Sequence, residues 1–209
     1  MLATPKRSLR LHRFAMSGHC HRVELLLSLL ELPFERVEVD LAAGEQKTPR
    51  FLALNPLGQV PVLEDGELAL ADSNAILTYL SLRYGGSRWT PSAPAEFGEQ
   101  QRWFSLAAGP LAFGPAAARA HALFGSPVDL PAAQARAHAL FRFMNAHLSR
   151  RSFLVGTELG LADVAHYAYV AHAPEGGVPL DEYAHVRAWL GRVESTPRFV
   201  GMPRASELS

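Results

Sequence analysis

The chain has one cysteine, Cys20, in 209 residues. A single thiol excludes an intrachain disulfide framework, so packing must hold the fold. Charge of one sign is also missing, because 20 Lys and Arg balance 20 Asp and Glu. A net charge of zero argues against a general nucleic-acid or anionic-membrane surface and leaves room only for a local patch. No apolar run approaches the ~20 residues that span a bilayer. The opening MLATPKRSLRLHRF is basic but has no apolar core or small-residue cleavage site, so it does not read as a signal peptide. There is no internal repeat, and no low-complexity tract beyond alanine richness around 115–139. These absences describe a cytoplasmic globular protein with neither nucleic acid nor membrane as partner. Its length admits one domain or two small ones.

What is present is organised around residues 55–84, NPLGQVPVLEDGELALADSNAILTYLSLRY. Val60-Pro61-Val62-Leu63 is apolar and partly β-branched, as a strand requires. Asp65-Gly66 supplies a hairpin turn, and Leu68-Ala69-Leu70 the return strand. From Ala71 the period becomes helical, with Ala75, Ile76, Tyr79, Leu80, Arg83 and Tyr84 in register and Asp72 or Ser73 able to cap the start. Pro61 is the oddity. It opens a strand without an amide donor, a position where a cis bond is available.

Upstream, residues 1–8 read as a short disordered leader. Leu9–Phe14 alternates as a strand, and Ala15–Val23 enters a helix. Val23, Leu26, Leu27 and Leu30 share a face of that helix, which Leu25 and Leu29 widen and Pro33 stops. Phe34–Val39 alternates again. Strand, helix, strand implies a parallel pair with a right-handed crossover. Residues 42–49 form a polar loop before a short helical turn at Phe51, Leu52 and Leu54. Residues 85–95, GGSRWTPSAPA, read as a linker. Beyond it every pattern is helical. A helix starts near Glu96 and carries Trp103, Leu106 and Ala107, with Gly109-Pro110 and Gly114-Pro115 expected to kink or interrupt it. Another starts at Leu130-Pro131, one around Leu161–Val164, one on Val186, Trp189, Leu190 and Val193, and a last short one at Pro197. Gly160 and Asp163 suggest a capping box with the Ser or Thr half replaced by glycine.

The words Asn55-Pro56-Leu57-Gly58-Gln59-Val60-Pro61 and Asp72-Ser73-Asn74-Ala75-Ile76 resemble the cytosolic glutathione transferases, and the resemblance covers nearly the whole chain. It implies an α/β thioredoxin-like N-terminal domain, residues 1–84, followed by an all-α C-terminal domain, 93–209. It also implies a soluble homodimeric enzyme of detoxification, with glutathione as co-substrate and no metal. In that family the proline is cis, and the residue before it, here Val60, pairs its backbone with the cysteinyl part of glutathione. Gln59 hydrogen-bonds the peptide. Asp72 and Ser73 hold the γ-glutamyl end, where an amide and hydroxyl at a helix N-terminus suit a carboxylate and an acid suits the ammonium. Glu45-Gln46-Lys47 resembles the Glu-His-Lys of plant-type members, whose last two residues meet the glycine carboxylate.

Ser17 lies five residues before Arg22-Val23, as in the plant-type and zeta-type serine classes. Zeta members have two serines and a cysteine in succession, where this chain continues Gly18-His19. At a helix N-terminus, free amides and the helix dipole favour an anion. Lowering a thiol by ~2 units from ~8.5, worth roughly 2.7 kcal/mol, makes thiolate dominant at neutral pH. A serine hydroxyl donating to the thiolate favours that reactive form. The competing reading of Ser17 is a simple N-cap. Met16, Trp103 and Phe104 are candidates for the hydrophobic electrophile's pocket, with Phe113 and Tyr167 behind them, although a tryptophan at helical spacing more often serves the core.

Two other functions stay open on sequence. Ser17-Gly18-His19-Cys20 has the spacing of a C-x-x-C pair, so a glutathione-dependent disulfide reductase or isomerase would need a working Cys20 thiol. A non-enzymatic binding module of the same fold is the other. His19 and His21 are two apart and share no helical face, which argues against a metal, although either could line the site.

Overall fold

A computed structural model describes Pro5 and residues 8–207. The leader expected over 1–8 lies outside the described residues, apart from Pro5 and Ser8. The chain forms two units. The first runs through Thr90 and takes in Pro197–Pro203, and the second holds Pro91–Thr196 and resumes at Arg204.

In the first unit, β1 (Leu9–Arg13) pairs in parallel with β2 (Phe34–Glu38) across α1 (Gly18–Leu29). Short α2 (Pro49–Leu54) precedes β3 (Val62–Asp65) and β4 (Leu68–Ala71), an antiparallel hairpin closed at Gly66, where φ is +65°. β3 also runs antiparallel to β1, giving the order β2-β1-β3-β4. α3 (Ser73–Leu80) follows. This is the expected thioredoxin-like order. Leu9 and Leu11 of β1, Val23, Leu25, Leu26 and Leu27 of α1, Val62 and Leu63 of β3, and Ile76 and Leu77 of α3 are all fully buried. The strand expected from Val60 begins at Val62, after Pro61, which has no amide to give the ladder; the Val60–Pro61 bond is cis.

The expected linker is partly helical. α4 (Gly86–Trp89) sits within it, and the unit boundary falls after Thr90. The short helix expected at Pro197 is absent. Residues 197–203 are irregular, and a single 3₁₀ turn forms at Ala205–Glu207. That tail is held to α1 instead. His21 Nε2 donates to the Val200 carbonyl at 2.9 Å, Ser28 Oγ to that of Arg198 at 2.7 Å, and the Arg198 guanidinium meets Glu31 at 2.7 Å.

The second unit is all helical. α5 (Pro94–Leu106) continues through a π-helical stretch, Ala107–Ala116, into α6 (Ala117–Phe124). Pro110 and Pro115 thus interrupt the α-helical register, as expected, without ending the helix. A proline lacks the amide donor and crowds the preceding turn, and the wider register accommodates both faults. α7 (Leu130–Leu148), α8 (Leu161–Ala171) and α9 (Ala184–Glu194) complete the unit. Among the described residues no helix is long and apolar enough to cross a membrane, and no group of three acidic, His or Cys side chains could hold a metal ion.

Candidate active site

A cavity of about 230 Å³ opens in the first unit. His19, Asn55, Leu57, Gln59, Val60, Pro61, Ala71, Asp72 and Ser73 line it. Three segments build it, namely the first turn of α1, the loop 55–61, and the β4–α3 junction.

Asn55 organises the loop. Its Nδ2 donates to the Gln59 carbonyl at 2.8 Å, its Oδ1 accepts the Leu57 amide at 3.1 Å, and its carbonyl accepts the Gly58 amide at 2.8 Å. Asparagine is suited to this because its side chain bonds backbone two residues on. Gly58 has φ +59°, and a Cβ there would meet the Gln46 carbonyl at 2.7 Å, so this turn requires glycine. Lys47 Nζ donates to the carbonyls of Leu57 and Gly58, both at 3.3 Å. The lysine thus braces the loop from behind and is not among the residues lining the cavity.

At the far wall Asp72 is the N-cap of α3. Its Oδ1 accepts the amides of Asn74 at 2.9 Å and Ala75 at 3.0 Å. Its φ of 69° is rare for a residue with a side chain and costs on the order of 1–3 kcal/mol. Ser73 is buried, and its Oγ accepts from Arg22 Nη1 at 3.2 Å. The same nitrogen donates to Asn74 Oδ1 at 2.9 Å. Arg22 is 1 % exposed, so a buried guanidinium on α1 is tied to the start of α3.

Ser17 is the N-cap of α1, and its Oγ accepts the Cys20 amide at 3.3 Å. A hydroxyl that accepts one amide still carries its proton, so capping and donation to an anion are compatible. His19, one turn inside, belongs to the cavity wall. Burial, with Arg22 beside it, lowers its imidazole to about 3, so it is neutral at physiological pH. Cys20 is fully buried, and burial raises its thiol to about 11 against the pull of the Ser17 hydroxyl and the Phe14 amide. A thiol held protonated is no nucleophile. Met16 is 9 % exposed at the end of the loop entering α1.

In the second unit, Trp103 is fully buried and packs on the rings of Phe143, His147 and His166. Those are the contacts of a core tryptophan. Phe104 is 6 % exposed, and Tyr167 donates to Glu194 at 2.9 Å. Phe113 is 64 % exposed and lines an apolar groove of about 530 Å³ with Leu106, Pro110, Leu140 and Phe143.

The cavity wall gathers Gln59, Val60, Asp72 and Ser73 from the sequence expectation, and does not include Ser17, Lys47, Met16, Trp103 or Phe104. The roles of Asn55 and Arg22 were not read from sequence. Asn55-Pro56 carried a loop signal that could have marked the first. The second depends on a contact between residues 51 positions apart.

A thioredoxin-like unit with a cis-proline cavity, joined to an all-helical unit, defines the glutathione-transferase fold. The comparisons agree. Residues 8–81 match the family model of the glutathione S-transferase N-terminal domain and 119–197 that of the C-terminal domain. Glutathione S-transferase 3 of Zea mays is 32 % identical over 206 residues, 91 % of each chain. The crystal structure of a glutathione S-transferase from Pseudomonas fluorescens superposes with a TM-score of 0.89 at 35 % identity, covering 95 % of this chain and all of that one. A glutathione transferase homolog from Drosophila mojavensis, solved with bound glutathione, gives 0.80 at 26 % identity, covering 91 % and 89 %. The chain belongs to the glutathione S-transferase family of enzymes.

Proposed function

We propose that the protein binds glutathione in the first-unit cavity, ionises its thiol beside Ser17, and conjugates the thiolate to a hydrophobic electrophile. The observation that carries this is the cavity itself, which joins the backbone at Val60, ahead of cis Pro61, to a helix N-terminus bearing Asp72 and Ser73. Val60 would meet the cysteinyl backbone, Gln59 the peptide, and Ser73 with its amide the γ-glutamyl carboxylate, with Asp72 facing the ammonium. A helix N-terminus suits a carboxylate and an acid suits an ammonium, which supports reading these groups as partners of a charged tripeptide. Lys47 would meet the glycine carboxylate with the donor of its ammonium that the two loop carbonyls do not take.

Ser17→Ala tests the chemistry. The expected outcome is a fall in turnover of about 10²-fold, the loss associated with one donor to a developing anion. The bound thiol's pKa, followed by its ultraviolet thiolate band, should rise. Unchanged turnover and pKa would refute the assignment. Cys20→Ser should leave turnover intact, since its thiol stays protonated. Loss of activity there would revive the disulfide-exchange reading. Glutathione binding without turnover on any electrophile would mark a binding module instead.

A cytoplasmic homodimer acting in detoxification is the setting we propose. The groove around Phe113 gives apolar surface that a second copy would cover. Sedimentation as two chains supports the dimer, and sedimentation as one opposes it.

A further inference from the structure

The buried guanidinium of Arg22 is not explained by capping or by strand packing. It reaches from α1, whose N-cap is Ser17, to the first residues of α3, where Ser73 faces the cavity. A hydroxyl has one proton and two acceptor lone pairs. Because Ser73 Oγ accepts from Arg22 Nη1, its own proton is directed away from the guanidinium. The hydroxyl can then donate to an acceptor on whatever occupies the cavity it lines. A bond from a cationic donor also polarises the hydroxyl and makes it a better donor in turn. Asn74 Oδ1 takes a second bond from the same nitrogen, so the orientation of the α3 start is fixed from two points.

The charge of Arg22 also bears on the cavity wall. His19 lines the wall, and after burial itself the nearby Arg22 charge is what holds its imidazole neutral. A positive potential reaching His19 also acts on a carboxylate seated against Ser73.

We propose that Arg22 is a positioning residue that makes the start of α3 selective for a carboxylate. It orients the Ser73 hydroxyl and adds its own potential, while linking that end of the site to the helix capped by Ser17. The inference rests on the reading of the cavity as the glutathione site and names which end of the tripeptide Arg22 governs.

The test is a cycle of ligand against substitution. Glutathione, and glutathione amidated at the γ-glutamyl α-carboxylate, are titrated by calorimetry into the full-length protein and into Arg22→Gln. The wild type should prefer the free carboxylate by about 10- to 100-fold, the range for hydrogen bonds to a charged group. In Arg22→Gln that preference should collapse toward unity, mainly through weaker binding of glutathione. A merely structural arginine predicts otherwise, with both ligands weakened equally and the preference kept, and that result would overturn the proposal. If the wild type binds neither ligand, the glutathione site is itself misplaced and this inference falls with it. If it binds both without preference, the site stands and this inference alone falls. Should Arg22→Gln not fold, Arg22→Lys and Ser73→Ala carry the same comparison. Lys should keep part of the preference through its charge, and Ala should lose the share that the hydroxyl supplies.

Discussion

Two of the helices opened by an aspartate, α3 and α8, put that aspartate to different ends. Asp72 begins α3 at the cavity. It is exposed, holds a left-handed φ, and caps two amides with one oxygen. Asp163 lies in the first turn of α8 and is wholly buried. It accepts the Leu154 amide and the Trp189 indole on Oδ1, and the Gly160 amide on Oδ2. The first leaves part of its carboxylate facing a place where a ligand can go. The second spends every lone pair it can on the fold. The same side chain at the same kind of helix end is thus a ligand group or a structural one according to burial and unsatisfied valence. A capping motif in a sequence does not by itself distinguish them.

The contrast predicts its largest effect at Asp163. Removing the carboxylate strands three donors in a dry site, each worth on the order of 1–3 kcal/mol. Asp163→Ala should therefore lose about 3 kcal/mol or more in urea unfolding, with glutathione affinity unchanged in the fraction that folds. A loss under ~1 kcal/mol, as for an ordinary exposed cap, would erase the distinction.

pH sharpens it. Burial raises the Asp163 carboxyl to about 6, its three donors pulling the other way. Its native form therefore holds a proton between about pH 4 and 6 that the unfolded chain does not, so this group by itself stabilises the protein on acidification and ceases to as pH rises through 6. His19, His147 and His172 run in the opposite sense, each lowered chiefly by burial. Their stabilisation is present above about 6.5 and is lost as pH falls through their folded values. Glu175, also lowered, joins the histidines, and Glu24, raised by burial, joins Asp163, so four groups against two predict a net loss of stability below about pH 6.5. In Asp163→Asn the larger of the two opposing contributions in this range is gone, and the urea midpoint should fall more steeply between pH 6 and 4 than in the wild type. A shallower fall would reverse the sign assigned to the buried carboxylate.

What could be read from the residues was local. Asp65-Gly66 between two short apolar runs announced the β3–β4 hairpin, and the alternation of Leu9–Phe14 and Phe34–Val39 announced a parallel pair. Asp163 reaching back to Gly160 was also legible, because three-residue spacing contains the whole interaction. What escaped was long-range or averaged out. The tail's bonds to α1 join residues 179 and 170 positions apart, so Pro197 looked like the start of one more short helix. Pro110 and Pro115 announced a disturbance of the helix, but not that it takes the form of a widened register. Cys20 could be judged buried from its place one turn into α1, but the bond from Arg22 to Ser73 had no local trace. Trp103 shows the same ambiguity from the other side, since a tryptophan at helical spacing fits a pocket or a core equally well until its neighbours are known.

The smallest effect is the most discriminating, and it lies at Asp72. Asp72→Ala removes the cap on Asn74 and Ala75, which should cost about 1 kcal/mol of stability. It also leaves a Cβ at a φ that disfavours one. Asp72→Gly loses the same cap but relieves the left-handed backbone, so its net change should be close to zero. Neither variant has a carboxylate to offer the cavity. If Asp72 meets the ammonium of glutathione directly, both variants should bind it about tenfold more weakly despite their different stabilities, the value of one lost charged hydrogen bond. If affinity instead recovers in the glycine variant along with stability, Asp72 acts only by shaping the start of α3. It would then be a structural aspartate like Asp163, and the cavity's selectivity would rest on Ser73 and the arginine behind it.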